Sequence, residues 1–321
     1  MPRIRKVRIL YHSSLTNNLP NLISKHLRQH KLLLSRLIKP LTFLLLVAIT
    51  LTGCQTKQQQ NCLQIAQQTP YSPNTLQLSH FQIAINKKTI DGIDNNLSAL
   101  TWNEDTRTLF GMLNKPATIV ELSTQGELLR KITLNGITDP EAIEYIGNNQ
   151  FIVADERFHR LIKVTLNEQT NSINSQDTLQ LTLEKSYQYN KGLEGLAYDH
   201  QRKIIYVSNE SSPITIYKIT GWTEGDVIHI AEIKKDWSSF LTDISGLHFY
   251  APDRTLLVLS DESKLILALN KNDQIVGCFP LTTGQHGLWH TLRQPEGIAM
   301  DNKGNLYIVS EPNFFYKFTQ K

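Results

Sequence analysis

Short apolar segments, broken at close intervals by turn-forming residues, run along the chain from about residue 76 to its end. Clear examples are FQIAI at 81–85, TIVEL at 118–122 and LILAL at 265–269, with Asn, Asp, Gly and Pro between such segments. Helical periodicity does not extend over more than about two turns in this region. The pattern therefore predicts an all-β fold with tight turns.

A repeat in these segments narrows the architecture. Five segments, NNLSALTWN, DPEAIEYI, KGLEGLAYD, TDISGLHFY and QPEGIAMD, align on the equivalent positions Ser98, Glu141, Glu194, Ser245 and Glu296. The spacings between these positions are 43, 53, 51 and 51 residues. Repeats of this length, each with room for about four strands, are typical of the blades of a β-propeller. We predict five blades, with six as the alternative if the longer spacings hide a degenerate repeat.

The two ends of the repeat region are predicted to close the ring. The last repeat supplies only three strands, whereas the segment at 81–85 precedes the first repeat and has no partner of its own. Pairing this segment with FFYKF at 314–318 would complete the last blade and cover two open strand edges. Residues 76–321 are therefore predicted to form one propeller domain, closed by strands from both termini.

A basic and apolar leader precedes this domain. Residues 1–53 contain nine of the 33 Lys and Arg residues and no Asp or Glu, and they include the apolar run LTFLLLVAITL at 41–51. That run is too short for a permanent membrane span but fits the hydrophobic part of an export signal. The sequence LTGC that ends at Cys54 then resembles the bacterial lipobox. An ordinary cleaved signal that happens to end near a cysteine is the alternative.

The lipobox resemblance implies that residues 1–53 are a lipoprotein signal peptide and that Cys54 carries the lipid that anchors the protein to a membrane. Gln rather than Asp follows the cysteine, which by the sorting rule of Gram-negative lipoproteins favours the outer over the inner membrane. Residues 54–75 are rich in Gln and nearly uncharged, as expected of a tether. The remaining cysteines, Cys62 and Cys278, could form one disulfide in an oxidising compartment or stay two free thiols.

Outside the leader the chain is mildly acidic. Residues 54–321 contain 24 basic and 29 acidic residues, a net charge of −5, so the formal charge of +4 for the whole chain comes from the leader. This balance argues against a nucleic-acid surface. Nucleotide-binding loops and nucleophile-elbow motifs are absent from the sequence. We expect a monomer without a nucleic-acid partner.

Several repeat motifs resemble those of a known family. With GLEGLAYD, YVSNES, DISGL and PEGIAMD, the body from about residue 76 resembles the SdiA-regulated, or YjiK-type, family of bacterial envelope propellers. The resemblance implies a propeller located in the cell envelope. This family is distantly similar to NHL-repeat, gluconolactonase-like and phytase-like propellers, which carry metal sites on the axis. The first repeat departs from the pattern, because Ser98 and Asn114-Lys115 stand where other repeats have acidic residues.

Acidic residues recur at two positions of the repeat, at the start of the first strand and after the second strand. In a propeller these two positions lie on the same face. Carboxylates crowded there either take up protons or bind a cation. We expect the following residues to gather around one mouth of the axial channel: Glu141, Glu194, Glu296, Asp139, Asp243, Asp155, Glu156, Glu210, Asp261, Glu262 and Glu311.

The chemistry of these side chains predicts Ca²⁺ as the cofactor, since the ligands are oxygens and no His/Cys cluster accompanies them. Solvated turn residues are the alternative interpretation. We expect the cation-binding face to bind a ligand or an envelope protein rather than to catalyse a reaction. A metal-dependent hydrolase of lactones or phosphate esters is the alternative function, and a purely structural propeller is a third. The predicted metal ligands are Glu141, Glu194, Glu296, Asp155, Glu210, Asp261, Glu262 and Glu311.

Overall fold

The computed structural model describes residues 56–68, 75–183, 192–210 and 213–321. The predicted signal peptide and its lipidation residue, Cys54, lie outside these described residues. Residues Thr56–Lys321 form one compact unit. Among the described residues, no helix is both long and apolar enough to span a bilayer.

The described part of the chain is built almost entirely from short strands, as the alternating apolar pattern predicts. One α-helix, α1 (Lys57–Gln68), precedes them. In chain order the strands are β1 (Phe81–Thr89), β2 (Leu97–Asn103), β3 (Thr108–Leu113), β4 (Thr118–Leu122), β5 (Leu128–Asn135), β6 (Pro140–Gly147), β7 (Gln150–Asp155), β8 (Arg160–Thr165), β9 (Ser172–Asn174), β10 (Leu179–Thr182), β11 (Leu193–Asp199), β12 (Ile204–Asn209), β13 (Thr215–Thr220), β14 (His229–Glu232), β15 (Gly246–Tyr250), β16 (Thr255–Ser260), β17 (Leu265–Leu269), β18 (Ile275–Pro280), β19 (Pro295–Met300), β20 (Leu306–Ser310) and β21 (Phe314–Gln320).

These strands form five antiparallel sheets, one for each sequence repeat, so the predicted five-bladed propeller is confirmed. Blade 1 has the order β2-β3-β4-β5, with the short β9 added in parallel beside β5. Blades 2, 3 and 4 have the orders β6-β7-β8-β10, β11-β12-β13-β14 and β15-β16-β17-β18. Blade 5 has the order β19-β20-β21-β1.

Blade 5 closes the ring with strands from opposite ends of the domain. The N-terminal β1 pairs antiparallel with the C-terminal β21, from Phe81 opposite Gln320 to Thr89 opposite Phe314. This is the pairing that the leftover apolar segment and the three-stranded last repeat predict. The closure covers two strand edges that would otherwise be open to other chains.

The hydrophobic core is divided among the blade interfaces. Five clusters of buried apolar side chains each join two neighbouring blades. Phe110 and Phe151, for example, pack with ring centroids 4.8 Å apart between blades 1 and 2. Near the axis the inner strands approach so closely that a Cβ at Gly297 would lie 2.5 Å from the backbone carbon of Ala99. Glycine at position 297 is therefore a packing requirement, whereas blades 1 and 2 have Ala99 and Ala142 at the equivalent position.

Helix α1 lies within the predicted tether and docks on the outer strand of blade 4. The structure joins Cys62 of the helix to Cys278 of β18 by a disulfide with the Cα atoms 5.3 Å apart. Cys62 is the fully buried residue of this helix, and Ile65 packs against the same hydrophobic cluster. Part of the predicted tether is thus folded against the propeller, which the polar composition of the segment does not indicate.

Candidate metal centre at the axial mouth

The five equivalent residues of the repeats face the axis because the strand ladder is interrupted where they stand. In blades 1, 2, 3 and 5, a β-bulge skips the equivalent residue in the pairing of the first strand with the second. A bulged residue has no cross-strand partner, so its side chain can be redirected. In blade 4 the equivalent Ser245 directly precedes β15, and its N–H donates to Leu259 O at 3.0 Å.

These side chains line one small cavity of about 190 Å³. The cavity opens at what we call the mouth face, which carries the connections into the first strands and the turns after the second strands. Every equivalent position of the repeat contributes to the lining, together with five acidic residues from neighbouring positions. The lining residues are Ser98, Glu141, Glu194, Ser245, Glu296, Glu210, Asp243, Asp261, Glu262 and Glu311.

A repeated backbone hydrogen bond holds the second acidic position beside the first. The N–H groups of Glu156, Glu210 and Glu311 donate to the carbonyl two residues before the axial Glu of the same blade, at 2.9 to 3.0 Å. Blade 4 replaces this carbonyl with the carboxylate of Asp243, which accepts from the N–H of Asp261 at 3.0 Å. The register of the first hairpin thus brings two acidic side chains together in each of blades 2, 3 and 5.

Asp155 is the predicted ligand that the structure does not bring to the cavity. Its position in β7 pairs with Arg160 of β8, and its fully buried side chain accepts hydrogen bonds from Arg160 Nη2 at 2.7 Å and Nε at 3.0 Å. The position after the strand belongs instead to Glu156. The alignment with Glu210 and Glu311 contains this signal, because each of those residues directly follows its second strand.

Glu156 is shared by two groups of carboxylates that are close enough to hold an ion. One oxygen each from Asp139, Glu141 and Glu156 lies within 4.8 Å of the others, and the same is true of Glu156, Glu194 and Glu210. Oxygen ligands around Ca²⁺ lie at 2.3–2.6 Å from the ion, so opposite ligands are roughly 5 Å apart. The spacing of both triads is compatible with that geometry.

Blade 1 supplies an amide where the other blades have carboxylates. Asn114 follows β3, and its Nδ2 donates to Glu141 Oε1 at 2.7 Å. Its Oδ1 is buried and has no hydrogen-bond partner. Buried polar atoms are normally satisfied, and an amide oxygen is a common Ca²⁺ ligand. The acidic residues missing from the first repeat are therefore replaced by an oxygen that also suits a hard cation.

A comparison with protein families matches residues 73–319 to the family described as SdiA-regulated. The chain belongs to the SdiA-regulated family. Among solved structures, this SdiA-regulated protein is similar to a streptogramin B lyase, with 13% identity, a TM-score of 0.41 and coverage of 74% of this chain and 72% of that one. It is also similar to a catalytically inactive virginiamycin B lyase from Staphylococcus aureus with quinupristin, with 15% identity, a TM-score of 0.41 and coverage of 72% and 68%.

Burial and repulsion raise the pKa values of the axial carboxyl groups in this SdiA-regulated propeller. Desolvation, together with the negative charges of Asp261 and Glu311, raises the pKa of Glu296 to about 9. Desolvation also raises the pKa of Glu141 to about 7, although the hydrogen bond from Asn114 opposes the shift. Without a cation, carboxyl groups in the cavity therefore hold protons at neutral pH.

Two further carboxyl groups of the triads, those of Glu194 and Glu156, show the same direction. Burial raises the pKa of Glu194 well above its ordinary value, and the charges of Glu141 and Glu156 add to the shift. Burial also raises the pKa of Glu156, although a hydrogen bond from the N–H of Gly192 to its Oε1, at 3.0 Å, opposes it. Burial and repulsion act together in these pKa shifts, because the negative charges are confined in a small space that water only partly solvates.

Basic side chains surround the cavity without entering its lining. Lys115 and Arg157 lie 3.4 and 3.2 Å from Asp139, and both are mostly exposed. Lys264 forms an ion pair with Asp261. Ion pairs with an exposed basic partner, such as those of Lys115 and Arg157, contribute little to stability. They leave the centre of the cavity negative and its rim mixed in charge.

Proposed function

We propose that the protein is a lipid-anchored envelope propeller that binds Ca²⁺ at its axial mouth and uses that face to bind a ligand. The observation that carries the proposal is the pair of carboxylate triads sharing Glu156. All the lining side chains offer oxygen, which favours Ca²⁺ over softer transition metals. Charge adds a second reason, because a divalent cation would neutralise carboxylates that otherwise repel each other or stay protonated.

Four side chains at the mouth have definable roles in this proposal. Glu156 would bridge the two triads, with Glu141 on one side and Glu194 on the other. Asn114 would direct its unpartnered Oδ1 towards the ion and keep Glu141 in place through its Nδ2. A bound Ca²⁺ would supply a positive centre with coordination positions for an anionic group of a ligand.

A thermal melt tests the cation site. For residues 56–321, Ca²⁺ at 100 times its dissociation constant should add about 2.7 kcal/mol to the free energy of unfolding. At about 2–4 °C per kcal/mol for a domain of this size, the melting temperature should rise by roughly 5–11 °C over that in EDTA. A melt without any Ca²⁺-specific shift would remove the proposal.

Matched variants assign the effect to the triads. Glu156→Gln combined with Glu194→Gln should abolish the Ca²⁺-dependent shift. Glu168→Gln combined with Glu232→Gln makes the same change at two exposed positions outside the cavity and should keep it. A shift that survives the first pair would place any Ca²⁺ site elsewhere.

A metal-dependent hydrolase of lactones or phosphate esters is the second candidate. The raised pKa of Glu141, about 7, favours it, because a carboxyl group that titrates near neutral pH can act as a general acid or base. A turnover screen on lactones and phosphomonoesters, with and without EDTA, separates the candidates. A metal-dependent rate that Glu141→Gln abolishes would establish the enzyme, whereas a binding protein gives none.

The lipid anchor requires its own test. Full-length protein expressed in a Gram-negative host should fractionate with the outer membrane and carry a diacylglycerol mass on the fragment that begins at Cys54. Cys54→Ser should remove both the mass and the membrane association. Membrane association without a lipid mass would contradict lipidation at this cysteine.

A further inference from the structure

The chain joins the propeller at the mouth face, beside blade 4. In the first turns of α1, Gln59 Nε2 donates to Ser263 O at 3.4 Å, and Asn61 Nδ2 donates to Ser239 O at 2.8 Å. Ser263 belongs to the turn after the second strand, and Ser239 to the connection leading into β15. Both segments are on the mouth face. The N-terminal end of the helix is therefore at the rim of the mouth.

The other end of α1 is near the opposite face. Gln68 lines a cavity together with Asp253 and Asn270, which belong to the turns between the first and second and between the third and fourth strands of blade 4. The helix thus runs down the outside of the blade, and the disulfide at Cys62 fixes it there. This orientation determines where the preceding residues leave the domain.

A capping box marks the point at which the helix begins. The N–H of Gln59 donates to Thr56 Oγ1 at 3.3 Å, and the N–H of Thr56 donates to Gln59 Oε1 at 3.3 Å. This reciprocal pair fixes the first turn of a helix. Cys54 is two residues before Thr56, and two residues span at most about 7 Å. The described part of the chain therefore begins at the mouth face, two residues after the predicted lipidation residue.

Exposed aromatic side chains occur on the same face. Trp289, in the connection from β18 to β19, is 77% exposed, and Phe158, in the turn after β7, is 51% exposed. They belong to different blades and so lie at separate points around the cavity. Trp and Phe side chains of this kind are suited to the headgroup region of a bilayer, where Trp can bury its ring and keep its N–H hydrated.

Exposed basic side chains accompany these aromatic residues. They occur in connections and turns of the mouth face from four of the blades, where they would attract anionic headgroups. The exposed basic residues of this face include Lys115, Arg157, Lys234, Lys235 and Arg293.

We propose that the mouth face docks on the lipid bilayer that holds the anchor, with Trp289 and Phe158 in the headgroup layer and the axial cavity open towards lipid phosphates. This inference depends on the proposed lipidation of Cys54. Docking through Trp289 and Phe158 does not require that Ca²⁺ is bound, whereas the acidic cavity would attract lipid phosphates only with a cation in it. The docking inference also specifies the ligand in the proposed function, because the groups that the cavity faces would then be groups of the membrane surface.

Fluorescence quenching by lipid tests the orientation. The full-length, processed protein is reconstituted into vesicles of phosphatidylethanolamine and phosphatidylglycerol, with acyl chains brominated near the headgroup. Trp222 and Trp237 are buried in the propeller, at 4% exposure each, and Trp102 is partly buried near the end of β2, on the face opposite the mouth, so contact quenching should come mainly from Trp289. We expect brominated lipid to quench the wild-type protein and Trp289→Phe to lose most of that quenching.

A matched control uses the opposite face. Val227 is 75% exposed in the connection between β13 and β14, so Val227→Trp in the Trp289→Phe background adds an equally exposed Trp away from the mouth. That variant should remain unquenched. Quenching at 227, or its absence at 289 in a protein whose mass shows the lipid, would overturn the docking inference alone. A protein without the lipid mass would overturn the anchor and the docking inference together.

Discussion

Replacing Glu296 with Gln tests whether the cavity confines protonated carboxyl groups. The pKa of Glu296 is raised from an ordinary value of 4.5 to about 9, mainly by burial. At neutral pH without a cation, this side chain is therefore an uncharged acid, and Gln resembles that form in shape. Glu296→Gln should leave stability near pH 5 almost unchanged and should alter the way stability depends on pH.

The magnitude follows from proton linkage. Between pH 4.5 and about 9, the folded state keeps a proton on Glu296 that the unfolded chain has released, so the free energy of unfolding falls as the pH rises. The slope for one such group is about 1.4 kcal/mol per pH unit. From pH 5.5 to 7.5 the wild-type protein should thus lose about 3 kcal/mol through this residue, or roughly 6–12 °C in melting temperature.

The assay is a set of thermal melts in EDTA across that pH range. Glu296→Gln should lose less stability than the wild-type protein by about that amount. Glu262→Gln is the matched control, because Glu262 is exposed at the same mouth and should retain the wild-type slope. Parallel pH profiles for the wild-type protein and Glu296→Gln would show that Glu296 ionises as it does in the unfolded chain, which would refute the reasoning.

Three further outcomes follow from the same structure. Ca²⁺ binding at pH 7 should release protons, measured by calorimetry in buffers of different ionisation enthalpy, because protonated carboxyl groups of the triads must ionise to become ligands; no buffer dependence would contradict this. Replacing Cys62 and Cys278 together with Ser should lower the free energy of unfolding in guanidinium by about 2–5 kcal/mol, since the disulfide closes a long loop. Arg160→Ala should cost about 3–5 kcal/mol by leaving Asp155 buried without a partner, and Arg160→Ala with Asp155→Ala should recover part of it.

The repeat made the architecture predictable from sequence. Each blade buries its apolar faces only against its neighbours, so the same short pattern recurs wherever a blade occurs. The closure was also predictable. The last repeat supplies three strands of a four-stranded blade, and one strand at the other end of the domain has no partner, so pairing that strand with the last repeat completes the blade. The positions of Glu141, Glu194 and Glu296 on the axis followed from the alignment alone.

The details that decide the candidate ligands depend on strand register, which sequence patterns do not fix to a single residue. Asp155 and Glu156 are adjacent, and the structure places the first inside blade 2 and the second in the two carboxylate triads. The arginine that neutralises Asp155 comes from the next strand, five residues further on. Helix α1 was not predicted because its segment is rich in Gln, whereas its attachment depends on the buried Cys62 and the partly buried Ile65.

The departures from the repeat have a physical explanation in charge. A ring with five axial Glu residues would confine five carboxyl groups in about 190 Å³, and each added charge would raise the pKa of the others. Ser98 and Ser245 interrupt that ring, and the hydroxyl of Ser245 donates to Pro295 O at 2.7 Å, so this blade directs its side chain to the backbone. The two triads then lie on the side of blades 2 and 3, while Glu296 stands apart in blade 5. An ion in either triad would therefore be off the axis, with Glu296 left to face whatever occupies the rest of the cavity.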